Sequence, residues 1–202
     1  TPVDIGADAG NFLPLAADNV PPGITYTPIS SPQCYSGSNI ALTAQISDLT
    51  GVPTTGNLVP RIYYRRGAGT WFSQPGTLAS GTGTNGTWNF QILASDLGAV
   101  AQGDVISYYI IAQDLATPAN IGSYVGGAIA TDVNNVTTHP AAPFTFTAVL
   151  PLAASSTVGT GGSTYPTLTS AITAYNSGCL SGPATLLLTD NTYPTETFPI
   201  TI

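Results

Sequence analysis

The feature that most constrains the fold is the stretch Gly103–Asp114, GDVISYYIIAQD, the longest run dense in β-branched and aromatic residues. Turn-forming residues bound it on both sides, with Gly103-Asp104 before it and Asp114 to Pro118 after it. This pattern predicts a buried central strand. Because side chains alternate between the two faces of a strand, Tyr108 and Tyr109 are expected on opposite faces, one packed inside and the other facing out or covering an edge.

Other short strands are predicted on either side of this one, and no helical period interrupts residues 21–149. They are Ile24–Ile29, Ile40–Ile46, Leu58–Arg66, Thr70–Phe72, two strands within Thr77–Leu93 around a Gly81–Gly86 loop, and Phe144–Val149. The long connection Gly122–Pro143 is expected to hold a short strand near Ala128–Ala130 or to be a functional loop. Short alternating strands separated by turns predict an antiparallel β-sandwich of immunoglobulin or fibronectin type, with Trp88 in its core.

The pattern changes at two places, which divides the chain into 1–20, 21–150 and 151–202. Pro21-Pro22 marks the first boundary, because such a pair stiffens a linker and forbids a helix across it. After Pro151, apolar residues at helical spacing predict a helix that begins at an N-cap Thr167 and ends near Gly178. A buried strand is predicted at Ala184–Leu188 and the start of another from Tyr193, so we expect a piece of a longer protein.

Composition excludes several classes of partner. Charged residues make up 6% of the chain, the net charge is −7, and the three basic residues are Arg61, Arg65 and Arg66, with no Lys. Nucleic acids and anionic membrane surfaces require clustered basic side chains, so neither is an expected partner. No apolar run approaches the ~20 residues that span a bilayer. An apolar fraction of 43% nevertheless predicts a folded chain.

One cationic and aromatic patch is the candidate ligand site. The arginines alternate with Tyr63 and Tyr64, and Trp71 follows across a predicted hairpin turn. We predict Trp71, Tyr63, Tyr64 and Arg65 as ligand-binding residues, able to stack on a sugar or to bind an acidic protein segment. The alternative is that Arg65 and Arg66 protect a hairpin edge against aggregation, and this is the favoured interpretation of the two arginines.

We predict no catalytic residue, no cofactor and no metal site. His139, the single histidine, precedes Pro140 in a polar segment that predicts an exposed loop. The carboxylates, including Asp104 and Asp114, lie at turns beside strands, where Asp commonly closes the turn. Calcium binding by Asp132–Asn135, or by Asp4 and Asp8, stays open as an alternative. Whether Cys34 and Cys179 pair with each other is also open.

Two flanking stretches resemble right-handed parallel β-helix proteins of the pectin-lyase-like superfamily. VGTGGSTYPTLTSAI (158–172) and GPATLLLTDNTYPTETFPITI (182–202) are similar to the N-terminal cap helix and first rungs of such a solenoid. PVDIGADAG (2–10) is similar to a terminal coil, although Ala9 stands where that coil carries an acidic residue. The middle resembles the Ig-like or fibronectin-like modules placed between such β-helices. The fold class implied is all-β: an antiparallel Ig-like sandwich followed by the start of a parallel β-helix.

The resemblance implies a large secreted bacterial surface protein, exported by the type IX route and acting as an adhesin or in gliding or biofilms. The functional hypothesis is a non-enzymatic structural or adhesive segment that spaces β-helical blocks, with neighbouring domains of the same chain, glycans or other surface proteins as partners. The alternative is a carbohydrate-binding accessory module of a polysaccharide-active β-helix protein. A third, weaker option is a spacer within a pectin-degrading enzyme.

Overall fold

A computed structural model describes residues 18–196 as a mostly β protein whose two main sheets pack face to face. The all-β prediction and its sandwich-like layering are confirmed. The predictions made for residues 2–10, including Asp4 and Asp8, and for the strand ending at Ile202 fall outside the described residues. Within the described part, no helix has the length and apolar character required to cross a membrane.

The smaller sheet is antiparallel and has four strands. In spatial order these are β1 (Gly23–Thr25), β3 (Ile40–Ser47), β7 (Asn85–Ile92) and β6 (Thr77–Gly81). β3 alternates between buried and exposed residues along its length, as a strand with one face in the core must. Its outer face is polar but uncharged, and Thr43 Oγ1 donates to Asn89 Oδ1 of β7 at 3.1 Å.

The larger sheet has six strands. Its main path runs β2 (Gln33–Cys34), β12 (Phe144–Val149), β8 (Val105–Gln113), β4 (Arg61–Arg66) and β5 (Phe72–Pro75), with β9 (Ile121–Ser123) paired to the end of β8. β2 pairs with β12 in parallel and the other pairs are antiparallel. β4 lies between β8 and β5, but β5 pairs only with Arg61–Tyr64. Arg65 and Arg66 therefore lie at the turn end of the β4–β5 hairpin, and their role in protecting its edge stays a prediction.

The central strand β8 is the predicted stretch Gly103–Asp114, and it is buried on both faces. Tyr108 and Ile110 point into the space between the sheets, whereas Tyr109 and Ile111 point to the opposite side, and all four are fully buried. The opposite orientation of Tyr108 and Tyr109 is therefore confirmed, but Tyr109 lies in a second core and neither faces out nor covers an edge. A strand covered on two sides needs an almost continuous apolar sequence, which explains why this run stands out.

The main core fills the space between the two sheets. Trp88 and Phe90 of β7 are buried to 1% exposure or less and pack with Tyr64 and Tyr108 of the larger sheet. The prediction that Trp88 is a core residue is confirmed. A single turn of helix, α1 (Ala94–Leu97), follows β7 and adds Leu97 to this core. It is too short to produce a helical period in the sequence, so it was not predicted.

A separate hairpin covers the outer face of the larger sheet. Its strands β10 (Ile129–Asp132) and β11 (Asn135–Thr138) lie within the long connection, where a short strand was predicted. Val133 at its turn is fully buried against Tyr63, Tyr109 and Ile111. The molecule therefore has two cores that share one sheet as their common wall.

The part from residue 151 onward contains a parallel strand pair and the predicted helix. β13 (Ser155–Val158) pairs with β14 (Thr185–Leu188), and α2 (Leu168–Ser177) lies between them in the chain. Thr167 is the N-cap, as predicted: its side chain accepts a hydrogen bond from the Ser170 N–H at 3.1 Å. Gly178 ends the helix in an extended conformation, where a Cβ would lie 2.7 Å from the Leu152 side chain.

One prediction for this part is wrong. Ala184–Leu188 was expected to be a buried strand, but Leu187 and Leu188 are 55% and 51% exposed. The partner of β14 among the described residues is β13. Because Leu187 and Leu188 are neighbours on the strand, they point to opposite faces, and neither side chain is covered there. For this strand, an apolar sequence was therefore not sufficient to predict burial.

The two cysteines pair. The Cys34–Cys179 disulfide joins β2 of the sandwich to the second residue after α2, with a Cα–Cα distance of 5.6 Å. The same junction is held by the backbone, because Tyr35 N–H donates to Val149 O and Leu152 N–H donates to Cys179 O, each at 2.9 Å. The end of the last sandwich strand thus leads directly into the part that begins at Pro151.

Candidate functional site

The predicted ligand residues do not share one surface, because Tyr64 faces away from the other three. Tyr64 is fully buried in the main core, where its hydroxyl donates to Asp96 Oδ2 at 2.5 Å and accepts from the Leu93 N–H at 3.2 Å. Burial, with the Asp96 carboxylate, raises the pKa of Tyr64 to about 12. Neighbours on a strand point to opposite faces, so Tyr63 and Tyr64 cannot both contact one ligand.

Trp71 is half-buried at the margin of the outer-face core, and the side chains of Tyr109, His139 and Arg65 already contact its ring. The His139 ring stacks on it with centroids 4.5 Å apart and an interplanar angle of 18°. The Arg65 guanidinium carbon lies over the same ring, 4.6 Å from its centroid. These contacts occupy the ring area that a bound sugar would need for stacking.

Tyr63 lies deeper, under the β10–β11 hairpin. It is 6% exposed and stacks on Tyr109 with centroids 5.5 Å apart at 9°. Its hydroxyl donates to Val133 O of the hairpin turn at 2.9 Å, and burial raises its pKa. Tyr63 therefore acts as packing and as a tie to the hairpin.

His139 is a member of this cluster, so the prediction of an exposed loop residue is wrong. It follows β11 and is half-buried between the rings of Trp71 and Tyr109. Its Nδ1 lies 2.7 Å from the Tyr109 hydroxyl. Burial, with the positive charge of Arg65, holds the pKa of His139 below its usual range.

The hydrogen bond between Tyr109 and His139 joins two groups that are uncharged near neutral pH. Burial raises the pKa of Tyr109, so its hydroxyl stays protonated, and which of the two groups donates is set by the tautomer of the imidazole. A catalytic histidine is oriented by a carboxylate and faces a nucleophile, whereas the ring neighbours of His139 are Trp71, Tyr63 and Tyr109. This arrangement fastens the hairpin to the sheet.

We define the outer-face cluster as Arg65, Trp71, Tyr63, Tyr109 and His139. The first three were predicted from sequence, and the structure adds the last two. The out-facing position of Tyr109 in β8 was a signal that could have placed it there. No local pattern around His139 could have done so, because its contacts depend on how the hairpin folds back.

Three carboxylates that were not predicted to meet converge at one end of the sandwich. Asp18, Asp48 and Asp114 each place an oxygen within 4.8 Å of the others. Oxygen ligands of this kind suit Ca²⁺, although exposed acidic groups often gather without an ion. Their hydrogen bonds are those of turns: Asp114 Oδ1 accepts from the Ala116 and Asn120 N–H groups, as the turn prediction for Asp114 requires.

The calcium option at Asp132–Asn135 corresponds to a tight turn in the structure. Asp132 Oδ1 accepts from the Asn134 N–H at 2.7 Å and from the Asn135 N–H at 3.0 Å. The Asn135 side chain donates to the other carboxylate oxygen, and this bond is the main cause of a lowered pKa of Asp132. The oxygens of this turn are engaged in closing the β10–β11 hairpin.

Comparison with known proteins adds no relative: models of protein families, curated proteins and solved structures were all searched, and none matches this chain.

Proposed function

We propose that the chain is a structural segment of a secreted or cell-surface protein, in which a β-sandwich is fixed rigidly to the start of a β-helical block. The observation that carries this proposal is the Cys34–Cys179 disulfide at the junction. Disulfides persist in oxidising compartments, which supports an extracellular location. This bond connects the sandwich to the part after residue 150, so it supports a role in holding two blocks in one orientation.

The strand order supports an Ig-like sandwich. In an Ig domain, strands A, B, E and D form one sheet and C, F and G the other. Taking β1, β3, β7 and β6 as A, B, E and D, and β4, β8 and β12 as C, F and G, reproduces this arrangement. The first strand divides between the sheets, since β1 pairs with β3 and β2 pairs in parallel with β12. In Ig-like domains such a division is common.

The part after residue 150 supports the β-helix proposal. β13 and β14 are parallel and in register over four pairs, as successive turns of a solenoid are. Glu196 accepts hydrogen bonds from the Leu168 and Thr169 N–H groups, so the chain returns to the N-terminus of α2. Leu188 lies on the same face of the strand pair as the buried Val158 and is 51% exposed, so it offers apolar surface that a further part of the solenoid would cover.

The junction can be tested by removing the disulfide. In the double variant Cys34→Ala/Cys179→Ala, we expect amide hydrogen exchange in residues 151–196 to accelerate by about tenfold or more, because loss of a long-range disulfide removes several kcal/mol of stabilisation. Amides of β8 should change much less. Ala153→Ser, a surface change beside the junction, is the matched control. Unchanged exchange in residues 151–196 would show that the bond does not hold the two parts together.

The carbohydrate-binding alternative has less support, because two of its four predicted residues are buried tyrosines. It requires glycan binding that Trp71→Ala abolishes and that Tyr64→Phe, a change in the other core, leaves intact. A glycan array on which the oxidised chain gives no signal would count against it.

A further inference from the structure

The smaller sheet has an unpaired edge beside a cavity. β1 pairs with β3 at Ser47, Ile46 and Gln45, and the ladder stops there, although β3 continues back to Ile40. After Thr25 the chain leaves this sheet, and the Ile29 N–H donates to the Tyr108 hydroxyl at 2.7 Å instead of to β3. Within residues 18–196, no strand borders Ile40–Ala44 on this side.

The register shows which main-chain groups are left without partners. The Asp48 N–H donates to Thr84 O at 3.0 Å, in line with the β3–β7 ladder, so even-numbered residues of β3 point their N–H and C=O groups at β7. Odd-numbered residues point the other way, towards β1 or its continuation. Ala41 and Thr43 therefore present two N–H and two C=O groups to the open side, and both residues are exposed.

The cavity beside this edge has the chemistry of a strand-binding groove. Its volume is about 590 Å³, and its lining includes Thr27, Ile29, Tyr35, Ile40 and Leu42. None of its lining residues is Asp, Glu, Lys, Arg or His. An uncharged segment can enter without desolvating any charge, whereas a charged one would lose hydration with no counter-charge to replace it.

Two other edges of the sandwich carry features that discourage pairing, and this one does not. β6, at the far edge of the same sheet, has a register shift between Leu78 and Ser80. β5, at an edge of the larger sheet, contains Pro75. Along Ile40–Ala44 there is no charge, no proline and no interruption of the β3–β7 register. Bulges, prolines and charges are the usual protection of edges.

We propose that the edge of β3 at Ala41 and Thr43 binds an extended, uncharged segment of another protein by strand addition. The added strand pairs antiparallel to β3 and continues the ladder that β1 begins. Its residues opposite Ala41 and Thr43 lie on the polar outer face and can be Ser or Thr. The residue between them, opposite Leu42, points into the cavity and is a small apolar one such as Val.

The first test uses the full oxidised chain with the peptide acetyl-Ser-Thr-Val-Thr-Ser-amide. NMR should show chemical-shift changes centred on Ile40–Ala44. Exchange of the Ala41 and Thr43 amide protons should slow by about tenfold at saturation, because a paired amide exchanges only when the added strand opens locally. The control peptide carries N-methyl groups on both threonines, which removes the N–H groups that face β3. Equal shifts with both peptides would overturn the proposal.

Variants of the chain provide the second test. Ala41→Pro removes one edge N–H at a position where an edge strand tolerates proline, and we expect binding to weaken by about tenfold. Ala41→Ser keeps the main chain and should bind like the wild type. Unchanged binding by Ala41→Pro contradicts the proposal. If Ala41→Pro does not fold, which circular dichroism would show, the comparison of the two peptides on the wild type still decides.

Two further outcomes exclude the proposed occupant. Protection of the Ala41 and Thr43 amides in the free chain at every concentration would mean that the chain's own residues already cover the edge. Protection that rises with protein concentration, together with a dimer in sedimentation velocity, would mean that a second copy occupies it. Rapid exchange in a monomeric free chain, followed by protection on adding the peptide, supports the proposal.

Discussion

The two faces of β8 are equally buried, but they are covered in different ways. The inner face packs against a complete four-stranded sheet, whose Trp88 and Phe90 lie opposite it. The outer face is covered by a two-stranded hairpin and the outer-face cluster, whose ties include the hydroxyls of Tyr63 and Tyr109. A thin cover can adjust or open locally, whereas a sheet cannot. Equal burial therefore does not imply equal contribution to stability.

The largest expected effect comes from neighbouring isoleucines on the two faces. Ile110→Ala should lower the free energy of unfolding by about 4 kcal/mol, because the cavity it leaves lies between two rigid sheets. Ile111→Ala should cost about 2 kcal/mol, because the hairpin can settle into the space. Urea unfolding followed by tryptophan fluorescence measures both. Equal losses would show that the hairpin is as rigid as the smaller sheet.

A smaller effect is expected from the paired tyrosines. Tyr108→Phe leaves the Ile29 N–H without its acceptor in the sandwich and should cost about 1–2 kcal/mol. Tyr109→Phe leaves only the half-buried Nδ1 of His139, which water can reach, and should cost about 0.5 kcal/mol. Thermal unfolding of both variants checks the order. A larger loss for Tyr109→Phe would contradict the thin-cover interpretation.

The smallest effect is expected from pH. Because the pKa of His139 is lowered in the folded chain, the unfolded chain binds the proton more readily. Its stabilising contribution is complete above about pH 6.5 and is lost as the pH falls through the folded-state pKa. Protonation also places a second positive charge near that of Arg65, in a half-buried position. As the pH falls, the hairpin amides should therefore lose more of their protection from hydrogen exchange than the amides of the smaller sheet.

The control for this pH effect is His139→Gln, which keeps a polar group at the position but does not titrate in this range. In this variant, amide exchange in the hairpin and in the smaller sheet should respond equally to a fall in pH. Destabilisation caused by protonation of the carboxylates should be the same as in the wild type. A difference that persists in His139→Gln would assign the pH effect to groups other than the imidazole.

The sequence predicts the strands well because their signal is local. Alternation placed β3 to within one residue, and the cap residue Thr167 placed the start of α2. β7 was also predicted, but it begins at Asn85, inside the predicted Gly81–Gly86 loop. The candidate site was predicted less well, because its residues meet through long-range folding. Tyr64 was grouped with Tyr63 although alternation separates them, whereas His139 depends on a hairpin that folds back over the sheet. Pairing of Cys34 with Cys179 likewise requires the two ends of the described chain to meet.

The placement of the three arginines has a practical consequence for proteolysis. Trypsin cleaves after Lys or Arg, and this chain has no Lys, so every tryptic site lies in β4, at Arg61, Arg65 and Arg66. β4 is paired with β8 along its whole length, Arg61–Arg66, and with β5 along Arg61–Tyr64. A protease must bind its substrate as an unpaired extended strand, which β4 becomes only when the larger sheet comes apart. The rate of tryptic cleavage should therefore report opening of the whole sandwich, and the folded protein should survive where trypsin-like proteases are abundant.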